Sequence, residues 1–229
     1  MSTAERLRDT TDLFDGLPDE AIDLLDDRLA VGTFAKGELI YSPYERGDAI
    51  FLVESGRVRL YRSAPDGRQL TLAMLDQGMA FGQVAALEPD TFDCYAEAME
   101  ESRLRTLRLA ELERVIAIYP QVAVNLLRTL SQRLRGAEDQ LESIAFHGVP
   151  SRLAAKVLEL MERYGRVTSS GIRIDQRFTH MQLAEMIGTS RETLTKVIND
   201  LRESGLVDVR ERMVWVLDVE GLERLKHSG

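Results

Sequence analysis

The 229-residue chain has one cysteine, Cys94. A lone thiol excludes an intrachain disulfide, and it cannot by itself furnish a cysteine-ligated zinc or iron–sulfur centre. No apolar run approaches the ~20 residues needed to span a bilayer. The opening M-S-T-A-E-R-L-R-D-T has no apolar signal core. A cytoplasmic location with no membrane partner is therefore expected. Also missing are a phosphate-binding loop, a dinucleotide fingerprint, an H-E-x-x-H motif and a nucleophile elbow. The acids Asp12, Asp15, Glu88 and Asp90 are scattered rather than paired. These gaps argue against an enzyme, and no metal or other cofactor is expected.

The chain also lacks a surplus of positive charge: its net charge is −9. The deficit is uneven. Residues 148–229 hold 13 basic and 12 acidic side chains, a net of +1, whereas residues 1–147 hold 16 and 26, a net of −10. A near-neutral C-terminal module can still present a local basic face to phosphate, because the field at the contact matters more than the total. Hydrophobic content of 44% and charged content of 29% fit a globular protein.

The most informative stretch runs from Thr179 to Ser204. Thr179 followed by Gln182 is a capping-box start, and Leu183, Met186 and Ile187 share one helical face. Gly188 suits a helix end that needs a left-handed residue. Thr189 or Ser190 caps a second helix, with Thr189 and Glu192 spaced for another capping box. In that helix Leu194, Val197, Ile198 and Leu201 form an apolar stripe. At about 100° per residue, Arg191, Glu192, Thr195, Lys196 and Asn199 gather on the opposite side. Two short helices and a glycine turn make a helix-turn-helix, whose second helix can enter a DNA major groove. Arginine can donate two bonds to guanine, and glutamate can accept from cytosine N4. An ordinary helical hairpin with a solvated charged face has the same spacing.

Upstream, residues 5–30 read as helical pieces broken at Gly16 and Pro18, with Leu7, Leu13, Phe14, Leu17, Ile22, Leu24, Leu25 and Leu29 apolar. Short strand-like runs follow at Glu38–Tyr41, Ala49–Val53, Arg57–Arg62, Gln69–Leu75, Tyr95–Ala98 and Arg103–Leu107, set between recurrent glycines. Val58 and Leu60 alternate with Arg57, Arg59 and Tyr61, a half-buried strand pattern. Pro65-Asp66-Gly67 is a hairpin turn. Many short strands at regular spacing suggest a rolled or closed β structure.

A long helix is expected from Ala110 to Ile144, interrupted at Pro120. Leu127, Leu130, Leu134, Ala137, Leu141 and Ile144 repeat at alternating spacings of three and four, which is a coiled-coil seam. A single amphipathic helix packed on its own domain is the alternative. Gly148 and Pro150 punctuate a hinge, and Ser151–Tyr164 is amphipathic through Leu153, Val157, Leu160 and Met161. Residues 165–176 read as a polar loop. Leu206–Arg210 and Met213–Leu217 read as a two-stranded wing with Arg210 and Arg212 at its tip, and Val219–Lys226 as a closing helix. Trp215 reads as a core residue.

The run S-R-E-T-L-T-K-V-I-N-D-L resembles the recognition helix of the cyclic-AMP receptor / fumarate-nitrate-reduction (CRP/FNR) family of bacterial transcription regulators. K-G-E, G-D-A-I-F-L-V-E-S-G-R-V-R-L-Y and M-A-F-G-Q resemble that family's cyclic-nucleotide-binding β-roll. The resemblance implies an α+β chain: a β-roll sensor over 1–118, a dimerisation helix over 119–146 and a winged helix-turn-helix over 147–229. It implies a homodimer joined at the seam named above, double-stranded DNA as partner, and an RNA polymerase contact through the 165–176 loop. Arg191, Glu192 and Lys196 would read a TGTGA-like half-site, with Ser190, Thr193, Thr195 and His180 as further DNA-binding residues. Lys196 stands where the best-known relatives carry arginine, and it lacks the rigid fork.

By the same resemblance the effector pocket would involve Gln83, Val84, Ala85, Asp93, Cys94, Tyr95 and Glu138. Cyclic-AMP binders of the family hold the ribose with a glutamate and the phosphate with an arginine-serine pair. Here those positions read Gln83 and about Asp93–Cys94, and no Arg or Lys lies between Arg68 and Arg103. The helix's threonine-serine pair reads Ala137 and Glu138. A phosphate needs an arginine fork or a ring of N–H donors, so cyclic AMP is not expected. Another, unidentified small-molecule effector remains open, as does a pocket filled by Tyr95 and Phe92. Cys94 is either a redox thiol or a small buried hydrophobe; its acidic neighbours Asp93 and Glu97 favour the second. Haem would need an axial ligand in the sensor domain, but His147, His180 and His227 all lie beyond it.

Overall fold

A computed structural model describes residues 11–26, 28–82 and 90–227. The chain forms two compact units, Met1–Arg62 with Leu72–Gly136, and Ser63–Thr71 with Ala137–Gly229. Gln83, Val84 and Ala85, as well as Leu7 and Glu88, lie outside the described residues.

The first unit opens with a short turn of 3-10 helix, Asp12–Phe14, and helix α1, Asp19–Asp26. Asp19 and Glu20 sit in the first turn of α1, where acids complement the helix dipole. The strands follow: β1 (Ala30–Phe34), β2 (Leu39–Tyr41), β3 (Arg46–Gly47), β4 (Ala49–Ser55), β5 (Val58–Ser63), β6 (Gln69–Leu75), β7 (Ala80–Gly82), β8 (Asp90–Thr91), β9 (Tyr95–Ala98) and β10 (Ser102–Arg108). They form two four-stranded sheets, in orders β1-β10-β4-β7 and β2-β9-β5-β6, plus the small β3-β8 pair. The pairings β1–β10, β10–β4, β4–β7, β2–β9, β9–β5 and β3–β8 are all antiparallel.

β4 explains why the two cores lie side by side. Its A-I-F-L-V run is buried on both faces, so alternation sends residues to opposite sides. Ile50 and Leu52 join a core with Leu13, Phe14, Leu25 and Leu107. Val53 and Phe51 join the other, with Tyr41, Leu60, Phe81, Phe92 and Leu104 drawn from both sheets. Two polar groups tie the helices to this frame. Asn125 is buried, and its Nδ2 donates to the carbonyls of Leu13 (3.1 Å) and Asp15 (3.0 Å). The side chain of Arg105, 5% exposed, pairs with Asp26 and with Glu54 at 3.2 Å, linking α1, β4 and β10. Removing one partner of so buried a network costs about 3–5 kcal/mol, because the others are left uncompensated.

Sequence alternation misjudged β5. Arg57, Arg59 and Tyr61 are buried along with Val58 and Leu60, so the strand is covered on both faces. The arginines are accommodated by partners: Arg57 Nε donates to Asp76 at 2.7 Å, and the Arg59 guanidinium lies 4.3 Å from the Tyr61 ring centroid.

Helices α2 (Leu109–Ile118) and α3 (Gln121–Phe146) are separated at Tyr119–Pro120, as proline requires. The second unit continues with α4 (Val149–Tyr164), which carries Pro150 in its first turn. The expected polar loop over 165–176 is instead a hairpin of β11 (Gly165–Thr168) and β12 (Gly171–Ile174). Its strands are short and its Val167 is 87% exposed, so it carries little hydrophobic pattern to recognise. Helices α5 (His180–Met186) and α6 (Arg191–Glu203) precede β13 (Val207–Arg210), β14 (Met213–Val216) and α7 (Val219–Lys226). The wing is therefore a four-stranded sheet, in order β11-β12-β14-β13, rather than a two-stranded one.

Candidate nucleic-acid interface

Local sequence chemistry sets α5 and α6. The Thr179 hydroxyl accepts from the Gln182 backbone N–H (3.1 Å), and the Gln182 side chain accepts from the Thr179 backbone N–H (2.9 Å), a complete capping box. Gly188 takes φ +64°, where a Cβ would be strained. The second cap is Ser190, not Thr189: Ser190 Oγ accepts from the Thr193 backbone N–H at 3.1 Å, and the Thr189–Glu192 box does not form. Starting the helix at Arg191 frees Glu192 to face outward.

The two faces of α6 separate as its spacing predicts. Leu194, Val197, Ile198 and Leu201 are buried, while Arg191, Glu192, Thr193, Lys196 and Asn199 are exposed. Arg191 and Lys196 make no salt bridge among the described residues, so both can donate to a nucleic acid. The Glu192 carboxyl is held below the usual carboxylate range by its own backbone N–H at the helix start and by the Ser190 hydroxyl. It is ionised at neutral pH and available as an acceptor.

Thr195 is already engaged. Its hydroxyl donates to the Arg191 carbonyl (2.8 Å) and lies 2.9 Å from His180 Nδ1. The contact bridges α5 and α6 and orients the half-buried imidazole, a positioning role the sequence did not disclose.

A cleft of about 510 Å³ lies beside the start of α6, lined by Phe178, His180, Arg191, Val209, Glu211 and Arg212 among others. Glu211 (φ +52°) and Arg212 (φ +64°) form the tip of the β13–β14 hairpin. Left-handed backbone at both central residues is what a tight hairpin of this twist demands, usually met by Asn and Gly. The Phe178 backbone N–H donates to the Arg212 carbonyl at 3.0 Å, tethering the tip to the entry of α5. Arg210 and Arg212, both expected at the tip, have different environments. Arg212 has no salt bridge among the described residues. Arg210 pairs with Asp208 at 2.6 Å and lies 5.4 Å from the Trp215 ring centroid. The half-buried Trp215 is thus covered by an arginine rather than offered as a stacking platform.

The described residues of the first unit that were expected to line an effector pocket, Asp93, Cys94 and Tyr95, have three different environments. Cys94 is buried in the roll core beside Tyr41, and burial, then the Asp93 charge, pushes its thiol up to about 11. Asp93 itself is 75% exposed and pairs with Arg62 at 2.8 Å, so its charge is partly offset by that arginine, although it still reaches the Cys94 thiol within the roll. Tyr95 stacks on Tyr61, with centroids 5.0 Å apart, and Glu138 is exposed. Aromatic rings occupy the roll core instead. Phe92 stacks on Tyr41 at 3.8 Å, and Phe51 on Phe81 at 5.2 Å. Of the two ring side chains expected as filler, Phe92 is there and Tyr95 is not. Sequence reasoning also missed Arg133. It read as a polar flank of the long helix, yet it is half-buried, and its guanidinium donates to the Ala80 carbonyl. Burial lowers the pKa of that guanidinium from its usual value.

Comparison with known proteins agrees with both halves of this description. Residues 31–119 match the cyclic nucleotide-binding domain, and residues 151–225 match the Crp-like helix-turn-helix domain. The chain is 32% identical to the cyclic AMP receptor protein of Thermus thermophilus over 93% of this chain and 95% of that protein. It is 30% identical, with the same coverage, to the CRP-like cAMP-activated global transcriptional regulator of Mycobacterium tuberculosis. Among solved structures, a CRP/FNR-family transcriptional regulator from Thermus thermophilus superposes with a TM-score of 0.70 at 30% identity, covering 87% of this chain and 99% of that chain. Family-model match, sequence identity and structural superposition converge: the chain belongs to the cyclic-AMP receptor / fumarate-nitrate-reduction (CRP/FNR) family of DNA-binding transcription regulators.

Proposed function

We propose that the protein is a homodimeric regulator that reads a palindromic, TGTGA-like site in double-stranded DNA. The observation that carries this reading is the capped α6, with its apolar stripe buried and Arg191, Glu192 and Lys196 exposed together on the other side. Arg191 suits guanine, Glu192 suits cytosine N4, and Lys196 adds a looser donor. Ser190, Thr193, His180 and the wing-tip Arg212 supply phosphate contacts, which set register rather than sequence. Thr195 acts through His180. The dimer forms along α3, where Leu127, Leu134 and Leu141 are 63%, 60% and 68% exposed and have no cover among the described residues. Twofold symmetry places half-sites one helical turn, ~34 Å, apart. By family analogy the protein works in the cytoplasm and activates transcription through RNA polymerase.

The aromatic filling of the roll supports DNA binding without cyclic AMP, and by the family resemblance the sequence reads Asp93 about where cyclic-AMP binders carry the phosphate arginine. A cyclic-AMP-responsive regulator is the second reading, favoured by the names of the two relatives at 30% and 32% identity. Fluorescence anisotropy of a labelled inverted TGTGA repeat, beside a scrambled duplex, with and without cyclic AMP, decides between them. Selective binding without ligand is expected, and selectivity only with cyclic AMP would reverse the effector reading. Arg191→Ala should cost ~1–3 kcal/mol on the repeat and relax one base position. Equal weakening on every sequence would refute its base-reading role.

A further inference from the structure

The cations on the DNA-facing elements of the second unit fall into two groups. Arg191, Lys196 and Arg212 make no salt bridge among the described residues. Arg202 and Arg210 are both held by one acid, Asp208. Its Oδ1 accepts from Arg202 Nε at 3.2 Å and its Oδ2 from Arg210 Nε at 2.6 Å, while Oδ1 also accepts from the Val209 backbone N–H at 2.8 Å. The Asp208 side chain is 21% exposed, and the two arginines are 49% and 55% exposed. Arg210 and then Arg202 help hold its carboxyl below the usual range.

On the DNA-binding reading above, both arginines border the surface that would face DNA. Arg210 lies between Val209 and Glu211, two residues lining the cleft that Arg191 and Arg212 share. Arg202 is eleven residues beyond Arg191. At about 100° per residue that returns it to within about 20° of Arg191 around α6, ~16 Å further along the axis. Left unpaired, each would be a ready phosphate contact.

We propose that Asp208 is a specificity-determining residue. It occupies Arg202 and Arg210 internally, keeps sequence-independent phosphate binding weak, and leaves discrimination to the base-reading face of α6. The proposal rests on the DNA-binding reading above. Its physical basis is that each phosphate neutralised adds affinity on any sequence, and makes log K fall more steeply with log salt by about 0.9. Ion pairs this exposed contribute little to stability, so their removal acts chiefly on binding.

The test is Asp208→Asn in the full chain, which keeps the acceptor for the Val209 N–H and removes the charge. Binding to a scrambled duplex is measured by anisotropy across a salt series. The variant is expected to bind it several-fold more tightly, up to ~10-fold, with a log–log slope steeper by about 0.9–1.8 for one or two new phosphate contacts. The preference for the inverted repeat over the scrambled duplex should fall. Adding Arg210→Gln to Asp208→Asn should return part of the slope to the wild-type value. An unchanged slope and affinity would overturn the proposal. So would weaker binding to every duplex, which is the outcome if Asp208 merely braces α6 against the wing. The slope difference is read on the scrambled duplex alone. A wild-type protein that binds duplexes without preferring the repeat therefore sinks the proposed site and still tests the clamp. Wild-type protein that binds no duplex sinks both.

Discussion

Phe92→Ala is the most direct test of what occupies the β-roll. The ring is 9% exposed and stacks on Tyr41 at a centroid distance of 3.8 Å and an interplanar angle of 10°. Truncating a buried phenylalanine costs about 3–5 kcal/mol, combining lost transfer energy with the cavity left behind. Part of that is the aromatic pair itself, ~0.5–1.5 kcal/mol. Against a total stability of roughly 5–15 kcal/mol, the first unit should remain folded but lose a large share of its margin. Urea unfolding, with hydrogen exchange following the strand amides, would show the loss. The new cavity should be apolar, walled by Tyr41 and Phe51, so benzene or indole should restabilise the variant and leave the wild type unmoved. Gly47→Ala perturbs the same ring, because a Cβ there would approach Phe92 ring atoms to 2.5–2.9 Å. Overpacking of this kind costs ~1–3 kcal/mol. A loss below about 1 kcal/mol for Phe92→Ala, with no aromatic rescue, would refute the view that this ring fills the roll.

Three other perturbations have definite outcomes. Leu134→Lys should shift the protein toward monomer in sedimentation velocity with little change in protomer unfolding, since Leu134 is 60% exposed and exposed substitutions usually fall within ~0.5 kcal/mol; an unchanged dimer would remove α3 as the interface. Ser190→Ala should lower the stability of the DNA-binding unit by ~1 kcal/mol in thermal unfolding, through loss of the α6 cap, whereas Thr189→Ala should not. The Cys94 thiol titrates higher when folded, at about 11 against 9.0, so its stabilising contribution is complete below pH 9 and is lost as pH rises toward 11. Iodoacetamide should accordingly label Cys94 slowly at pH 8 in native protein and rapidly after unfolding.

What the sequence disclosed follows from the range of the forces involved. Caps, turns and amphipathic stripes are local, so Thr179, Gly188 and the α6 stripe were readable without coordinates. Strand burial is not local. Arg57 and Arg59 looked like a solvent face because alternation counts polarity, while their burial depends on Asp76 and Tyr61. The β11–β12 hairpin was missed for the converse reason: its residues carry little apolar pattern, and β12 is fixed by pairing with β14, more than 40 residues later in the chain. Thr195 read as a free DNA contact and Arg210 as an unengaged wing-tip residue until His180 and Asp208 appeared beside them. Such pairs join residues from different elements, and one sequence gives no means of matching them.

The heptad row of α3 shows how one periodicity can serve two interfaces. Leu127, Leu134 and Leu141 recur every seven residues and are all exposed, whereas Leu130 is half-buried against the first unit's core. Around the helix, at about 100° per residue, Leu130 lies about 40° from Leu126 and Leu127 about 100° from it. Val122, Leu126 and Arg133 share the side of Leu130, and Val122 and Leu126 are buried in that core. The seam therefore joins an inward contact at Leu130, which anchors the helix to its own chain, and an outward row, Leu127, Leu134, Leu141 and the 44% exposed Ile144, that no described residue covers. Neither of the simple readings of the pattern, a free coiled-coil strand or a helix packed only on its own domain, accounts for both rows. A helix fixed on one side with leucines along its adjacent edge does, and the proposed dimer would bury the outward row against a second copy of the chain.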